Sequence, residues 1–380
     1  MANIGYLQVV RHCNHYCGFC SNPSTPFEHS LESMRLLVDD LVRRSYFGVV
    51  LTGGEPTLHK DLPAIARYAK ERGLHVRMIT NGHRLGQPGL AEELADAGVD
   101  LVHVSIYSVR PDVEARLRGT GGTLELALAA IENAHRAGIE VNVNSVINRH
   151  NADHLDENVA FLIDRHPYVR HYVWNNLDPS MGRAEVNQSE FTPSLRSFEV
   201  SLHRALSMLH ASGRSFRVER VPLCYMTDFA WASTETRKIV KGEERVVHFL
   251  DDKQTVVQTD WEHQYAPGCA ACTLRPICGG LFDRGGAYDP DELSPVFVPR
   301  EPIEEAIRRS LEAERASSDP PVDPGDGAAA NVAPLPRVGF VSEESLRRYG
   351  RRREAELRRA EAVGVAPEPA ASGDGDERIE

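Results

Sequence analysis

Between residue 5 and about residue 215, short apolar runs alternate with segments of helical period six times over. Residues 6–10, 49–52, 75–80, 101–107, 139–147 and 169–174 read as strands. Helical period fills residues 31–46, about 61–72, about 89–97, a stretch from Thr123 to Ala137, one after Asn151 that ends at His166-Pro167, and a last one after Thr192-Pro193. A helix between two strands, joined by short connections, makes the strands parallel. Right-handed crossovers then curve the sheet into a barrel or part of one. The expected fold class is α/β, a partial (β/α)6 TIM-like barrel. In such barrels the chemistry sits at the C-terminal ends of the strands.

The unusual residues fall at those ends. The first strand runs into Arg11-His12-Cys13-Asn14-His15-Tyr16-Cys17-Gly18-Phe19-Cys20, a C-x3-C-x2-C triad with Phe19 before its last cysteine. The second ends in Gly53-Gly54-Glu55-Pro56 and the third in Thr80-Asn81-Gly82. Iron–sulfur cubes usually take four cysteines, so three thiolates leave one iron open to an outside ligand. A zinc site completed by His12 or His15 is the alternative for so short a cysteine run. Glycines let a backbone come close to a ligand, and the Glu55 carboxylate is suited to an ammonium group.

The triad and the Gly-Gly-Glu-Pro stretch together resemble the radical S-adenosylmethionine (radical SAM) superfamily. The resemblance implies that the open iron chelates the methionine end of S-adenosylmethionine. One electron from the cluster would then split it to a 5′-deoxyadenosyl radical, which takes a hydrogen atom from the substrate. Cys13, Cys17 and Cys20 would hold this [4Fe-4S] cluster. Phe19, Gly53, Gly54, Glu55, Pro56, Thr80, Asn81, Ser105 and Asn144 would line the cofactor. His103, Ser105 and Tyr107 share one strand face, as do Asn142 and Asn144. A strand buried in a parallel sheet is normally apolar on both faces, so these polar faces predict a hydrophilic barrel interior. Satisfied structural polar groups are the other reading of Ser105 and Asn144. Residues 173–184, with Gly182-Arg183-Ala184, resemble the region near the adenine. His12, His15, His103 and Tyr107 are read as packing or hydrogen-bonding residues without a proton-transfer role.

Residues 216–300 read as a small β-hairpin and cluster domain. Residues 246–250 and 255–258 form the hairpin, followed by Cys269-x2-Cys272-x5-Cys278. That core resembles the SPASM and twitch auxiliary-cluster domains and implies a second, auxiliary [4Fe-4S] cluster. Phe282 stands where a further cysteine would follow, and no cysteine occurs after Cys278, so one such cluster is expected. A zinc ribbon is the alternative. Cys224 is open to three roles: fourth ligand, hydrogen-atom donor as in radical epimerases, or inert buried thiol. The domain reading is residues 1–215 for the core, 216–300 for the cluster domain, 301–336 for a largely disordered linker rich in Pro, Ala, Gly and Asp, and 337–380 for a charged, arginine-dense helix with a disordered tail.

Six of the seven cysteines lie in two tight groups. With no signal peptide and no membrane-spanning apolar run, this favours metal binding in the cytoplasm over disulfides. A net charge of −12 argues against nucleic acid as a partner. The expected partners are a substrate and a reductant such as flavodoxin or ferredoxin. About a dozen residues precede Cys13, too few for a peptide-recognition domain, which tilts the substrate to a small molecule: a sugar, aminocyclitol, nucleotide or amino-acid derivative of a biosynthetic pathway. A precursor peptide receiving a thioether, a carbon–carbon cross-link or an epimerised centre is the alternative. A non-enzymatic metal-binding interaction module is the reading from another class, and it leaves Gly-Gly-Glu-Pro unexplained.

Overall fold

A computed structural model of the chain describes residues 4–22, 25–242, 245–248, 255–282 and 286–317, the pair 339–340, and Gly350, Glu354, Leu357 and Arg358. Its strands are β1 (Ile4–Val10), β2 (Glu28–His29), β3 (Gly48–Gly53), β4 (His75–Thr80), β5 (Leu101–Ser105), β6 (Glu140–Ile147), β7 (His171–Asn176), β8 (Ser215–Glu219), β9 (Arg245–His248), β10 (Thr255–Gln258) and β11 (Gly339–Phe340). The helices are α1 (Leu31–Arg43), α2 (Leu62–Glu71), α3 (Leu90–Asp96), α4 (Pro111–Arg118), α5 (Thr123–Arg136), α6 (Leu155–Arg165), α7 (Gly182–Val186), α8 (Gln188–Phe191), α9 (Leu195–Ala211), α10 (Thr234–Lys241) and α11 (Glu301–Ser317).

The sheet order is β10-β9-β1-β3-β4-β5-β6-β7-β8, with β2 on β1 and β11 on β2. Every pair from β9 through β8 is parallel. β8 and β10 are the two ends of this path, so the sheet is an unclosed, partial barrel. Alternation explains how it holds its register. Leu7, Leu51, Val76, Met78, Val102, Val104, Val143, Tyr172, Trp174, Phe216 and Val218 point outward into one continuous core beneath the helices. Burying each such side chain is worth about 1.5–3 kcal/mol, and a slip by one residue would expose the whole set. The alternate positions carry Gln8, Arg77, His103, Ser105, Asn142, Asn144, Asn175, Arg217 and Glu219. The polar interior expected from the sequence is therefore the inner face of this sheet.

Three elements depart from the sequence reading. β8 adds a parallel strand beyond the expected six, so the boundary at residues 215/216 cuts into the barrel sheet. Its signal is the alternation of buried Phe216 and Val218 with Arg217 and Glu219, which is short and begins directly after a glycine turn. The hairpin exists as β9 and β10, with residues 249–254 outside the described ones. It does not stand apart with the cysteines: β9 pairs with β1, Tyr6 opposite Val247 and Leu7 opposite His248. Third, residues 301–317 form α11 where a linker was expected. Ile303 and Ile307 are spaced four apart, Ile307 is fully buried, and Arg237 donates to Ser310 Oγ at 3.4 Å. Glu301 and Glu304 in the first turn favour the helix start. Residues 318–338 and Arg351-Arg352-Arg353 lie outside the described residues. Among those described, no helix is long and apolar enough to cross a membrane.

Candidate functional site

The cysteine loop leaves β1 at Val10 and lies against the end of β3. The Gly54 N–H donates to Val10 O at 2.7 Å and the Glu55 N–H to His12 O at 3.0 Å. A Cβ on Gly53 would collide with the Val10 carbonyl oxygen, and one on Gly54 with that of His12; Gly53 also has φ of +135°. The glycine pair is thus demanded by the close approach of the cysteine-loop backbone, not by space left for a ligand. Pro56 then opens a 3-10 turn, Pro56–Leu58, at a position where a missing N–H costs nothing.

Glu55 caps that turn and does more. Its buried carboxylate accepts from the Thr57 N–H (3.2 Å), Thr57 Oγ1 (2.6 Å), Thr80 Oγ1 (2.7 Å) and the Asn81 N–H (2.7 Å). The sequence reading offers Glu55 to an ammonium group. In the structure its oxygens clamp the ends of β3 and β4 together, Oε1 accepting three of these bonds and Oε2 one. Burial raises its pKa, and the bonds from Asn81, Thr57 and Thr80 work against that rise. Thr80 is buried against this carboxylate, whereas the Asn81 side chain turns to the cysteine loop. Asn81 Nδ2 donates to Asn14 Oδ1 at 2.7 Å and reaches Cys13 Sγ at 3.6 Å.

Two further clamps hold the loop in ways the sequence reading does not anticipate. Arg118, at the end of α4, is wholly buried and pairs with Glu114 at 2.6 Å. Its guanidinium also reaches His15 Nδ1 (3.1 Å), donates to Asn81 O (3.0 Å) and to Ser105 O, and lies over the Tyr107 ring. Its pKa is raised: burial opposes the charge, but Glu114, Tyr107 and Cys17 together outweigh it. One side chain therefore ties the cysteine loop to the ends of β4 and β5. The second clamp is α7. Arg183 Nε donates to Cys17 O (2.9 Å), the Ala184 N–H to Cys20 O (3.1 Å) and Asn187 Nδ2 to Gly18 O (3.2 Å). The Gly182-Arg183-Ala184 stretch thus serves the loop carbonyls. The spacing of Glu114 and Arg118, four residues apart on a helix, is the only sequence signal for the first clamp, and it reads as an ordinary solvated pair.

Cys13, Cys17 and Cys20 are all half-buried. The His15 N–H lies 3.3 Å from Cys13 Sγ. Burial, then the Glu55 charge, pushes the Cys13 thiol up to about 12. Burial, then Cys20, raises Cys17. Cys13 feels the charge of Cys20, and Cys17 feels those of Cys20 and Cys13, so the three lie near one another on one loop. Bare thiolates are disfavoured in such surroundings, and a bound cation reverses that. Phe19 lies in a small apolar cluster with Leu117, Leu177, Ala184 and Phe191, and its ring meets Tyr107 edge-on at 4.7 Å. Ser105 is buried at the end of β5, and Asn144 Oδ1, opposite it on β6, accepts from Asn175 Nδ2 at 2.9 Å.

The other four cysteines meet elsewhere. Cys224, Cys269, Cys272 and Cys278 line one cavity together with Leu223, Leu274, Leu293 and Val296. Burial pushes Cys224 up to about 11, with Cys278 and Cys269 adding to the rise and the Ser294 N–H lowering it. The Val296 N–H lies 3.3 Å from Cys272 Sγ and the Gly280 N–H 3.3 Å from Cys278 Sγ. Four thiols with N–H donors aimed at sulfur match the chemistry of a closed cube, whose potential such bonds tune. Among the described residues, no three Cys, His, Asp or Glu side chains converge as tightly as a single metal ion requires. This unit is seated on the barrel by Tyr288, whose hydroxyl donates to Leu177 O at 2.7 Å, and by Glu292, which accepts from the Leu195 N–H at the start of α9 at 2.9 Å.

Residues 7–162 match the model of the radical SAM superfamily. An Fe-coproporphyrin III synthase of Methanosarcina barkeri is 33% identical over 147 residues, 38% of this chain and 36% of that protein. A PqqA peptide cyclase of Xanthomonas campestris is 29% identical over 162 residues, 42% of this chain and 43% of that protein. The chain thus spans less than half the length of these curated relatives. In fold it is similar to anSMEcpe, solved with bound AdoMet and a Kp18Cys peptide: TM-score 0.56 and 14% identity, covering 82% of this chain and 98% of that one.

Proposed function

We propose that this chain, a member of the radical SAM superfamily through the domain at residues 7–162, reductively cleaves S-adenosylmethionine and removes a hydrogen atom from a small-molecule substrate. The observation that carries this reading is the cysteine loop. Its three thiols lie near one another, and its backbone is held by Gly53-Gly54, by Arg118 and by α7. Cys13, Cys17 and Cys20 would hold the [4Fe-4S] cluster. When bound, cluster and S-adenosylmethionine supply a 5′-deoxyadenosyl radical. The chain's part is placement: Glu55 and Arg118 fix the ends of β3, β4 and β5 beside the cysteine loop, where Asn81, Ser105 and Asn144 would line the cofactor, and the curved sheet would keep stray hydrogen donors away.

Cys224, Cys269, Cys272 and Cys278 would hold the auxiliary [4Fe-4S] cluster, closed by four thiolates and suited to carrying an electron. The ligand role for Cys224 rests on its sharing a cavity with the other three. A flavodoxin or ferredoxin in the cytoplasm would supply the electron. The polar lumen supports a small substrate, and the relative named as an Fe-coproporphyrin III synthase is in keeping with one. The second reading, a peptide-modifying maturase, is favoured by the relative named as a PqqA peptide cyclase.

Anaerobic reconstitution followed by iron counting and a 5′-deoxyadenosine assay tests the proposal. The wild type should hold about eight irons and release deoxyadenosine on reduction; with Cys13, Cys17 and Cys20 all changed to Ala it should hold about four and release none. Bound zinc without deoxyadenosine would sink it.

A further inference from the structure

Halfway down the barrel interior, three polar side chains stand side by side on neighbouring strands. His103 on β5 is opposite Asn142 on β6. His171 on β7 is the next residue across, one step before the Val143–Tyr172 pair. Asn142 is 4% exposed, yet its Oδ1 has no hydrogen-bond partner among the described residues. His171 Nδ1 meets Ser215 Oγ at 2.7 Å; its other ring nitrogen, and both of those of His103, bond to no described residue. His103 and His171 are each partly exposed, whereas Asn142 between them is almost wholly buried. Buried polar groups in folded proteins are nearly always satisfied, and this row is built to be satisfied by something else.

The charge around the row says what. Burial, then Arg77, lowers His103 to about 4. Burial, then Arg217, His103, Arg77 and Arg237, lowers His171 to about 3. The acidic groups that act on Arg77 are Tyr6, Glu140 and Asp100, and Glu219 lies nearer the mouth of the barrel on the strand face of Arg217. Both imidazoles are therefore neutral, each with one donor and one acceptor. They sit in a positive field that rejects an ammonium group or a metal ion. An orphan amide oxygen in turn requires a donor. A hydroxyl group meets both conditions: it donates to Asn142 and exchanges hydrogen bonds with the imidazoles without bringing charge.

We propose that His103, Asn142 and His171 bind the hydroxyl-bearing, uncharged ring of the substrate, either a free cyclitol or sugar or the ribose of a nucleoside. This rests on the small-molecule reading above and narrows it: a protonated aminocyclitol or a lysine-bearing peptide segment is excluded from this row. The strand register that brings the three together has no other evident use, since none of them packs in the outer core.

Calorimetric titration of the reconstituted full chain with myo-inositol, guanosine and cadaverine tests it. Saturable binding of myo-inositol identifies a free polyol, and binding of guanosine alone identifies a ribose. Asn142→Leu should weaken the binding about tenfold, the equivalent of one lost hydrogen bond of about 1.4 kcal/mol. His103→Leu, which removes no hydrogen bond from the fold, should weaken it similarly if Asn142→Leu does not fold. Saturable cadaverine binding, failure of both polyols to bind, or equal affinity in wild type and His103→Leu would overturn the assignment. Deoxyadenosine release by the wild type, measured separately, keeps the radical reading standing if the polyols fail.

Discussion

Glu55 and Arg118 are charged residues removed from water, and each survives because several strand ends share it. Arg118 has the higher stakes. Replacing it with Met leaves Glu114 buried with only the Tyr107 and Ser108 N–H groups as donors. Breaking one side of a buried pair typically costs about 3–5 kcal/mol, so urea unfolding of Arg118→Met should show a loss of that order. Unchanged stability would mean that the guanidinium is not held as described. A second buried carboxyl gives a pH signature. Burial, then Glu219, raises Glu235 to about 7. Its folded pKa is above the ordinary carboxylate value, so the native state binds the extra proton. The stability this group contributes is full in acid and is lost as pH rises from about 4.5 through about 7. Melting temperatures across that range should fall less steeply for Glu235→Gln than for the wild type.

At the scale of elements, the meeting of β1 and β3 is the feature that seats the cysteine loop. Gly54→Ala should force the cysteine loop off the end of β3. The expected outcome is a reconstituted protein with about four irons, those of the second cysteine set, instead of about eight; full iron content would show that the loop tolerates the shift. Much of this level was legible in the sequence. Six strands and their helices show in the period of apolar residues, and the motif positions mark the catalytic end of the sheet, because both follow from local pattern. β8, α11 and the pairing of β9 with β1 were not legible. β8 alternates over only five residues. α11 owes its helix to Ile303 and Ile307 finding a neighbour distant in the chain. The β9 pairing is a choice of partner, which no local pattern encodes. The same holds within the site: Cys13, Cys17, Cys20, Gly53 and Gly54 announce themselves, whereas Arg118 and the row His103, Asn142 and His171 acquire meaning only once strands are laid side by side.

For the whole molecule, the second cysteine set is seated on the barrel through the shared core of Leu274, Ile277, Leu281 and Leu293 and through Tyr288. Tyr288 is 4% exposed and its hydroxyl serves both Leu177 O and Asn176 Oδ1. Tyr288→Phe should cost about 1–2 kcal/mol, since it strands a buried carbonyl, and calorimetry should show the loss; a melt identical to the wild type would mean that the seat lies elsewhere. The pairing of Tyr6 with Val247 has a consequence in time rather than space. A ribosome releases β1 first, yet one edge of β1 waits for residues 245–248 to emerge. Contacts so distant in sequence form late and slowly. Throughout that wait the loop that follows β1, with Cys13, Cys17 and Cys20, is bordered by an unfinished sheet, and its three thiols stay open to solvent-borne chemistry until the last strand arrives.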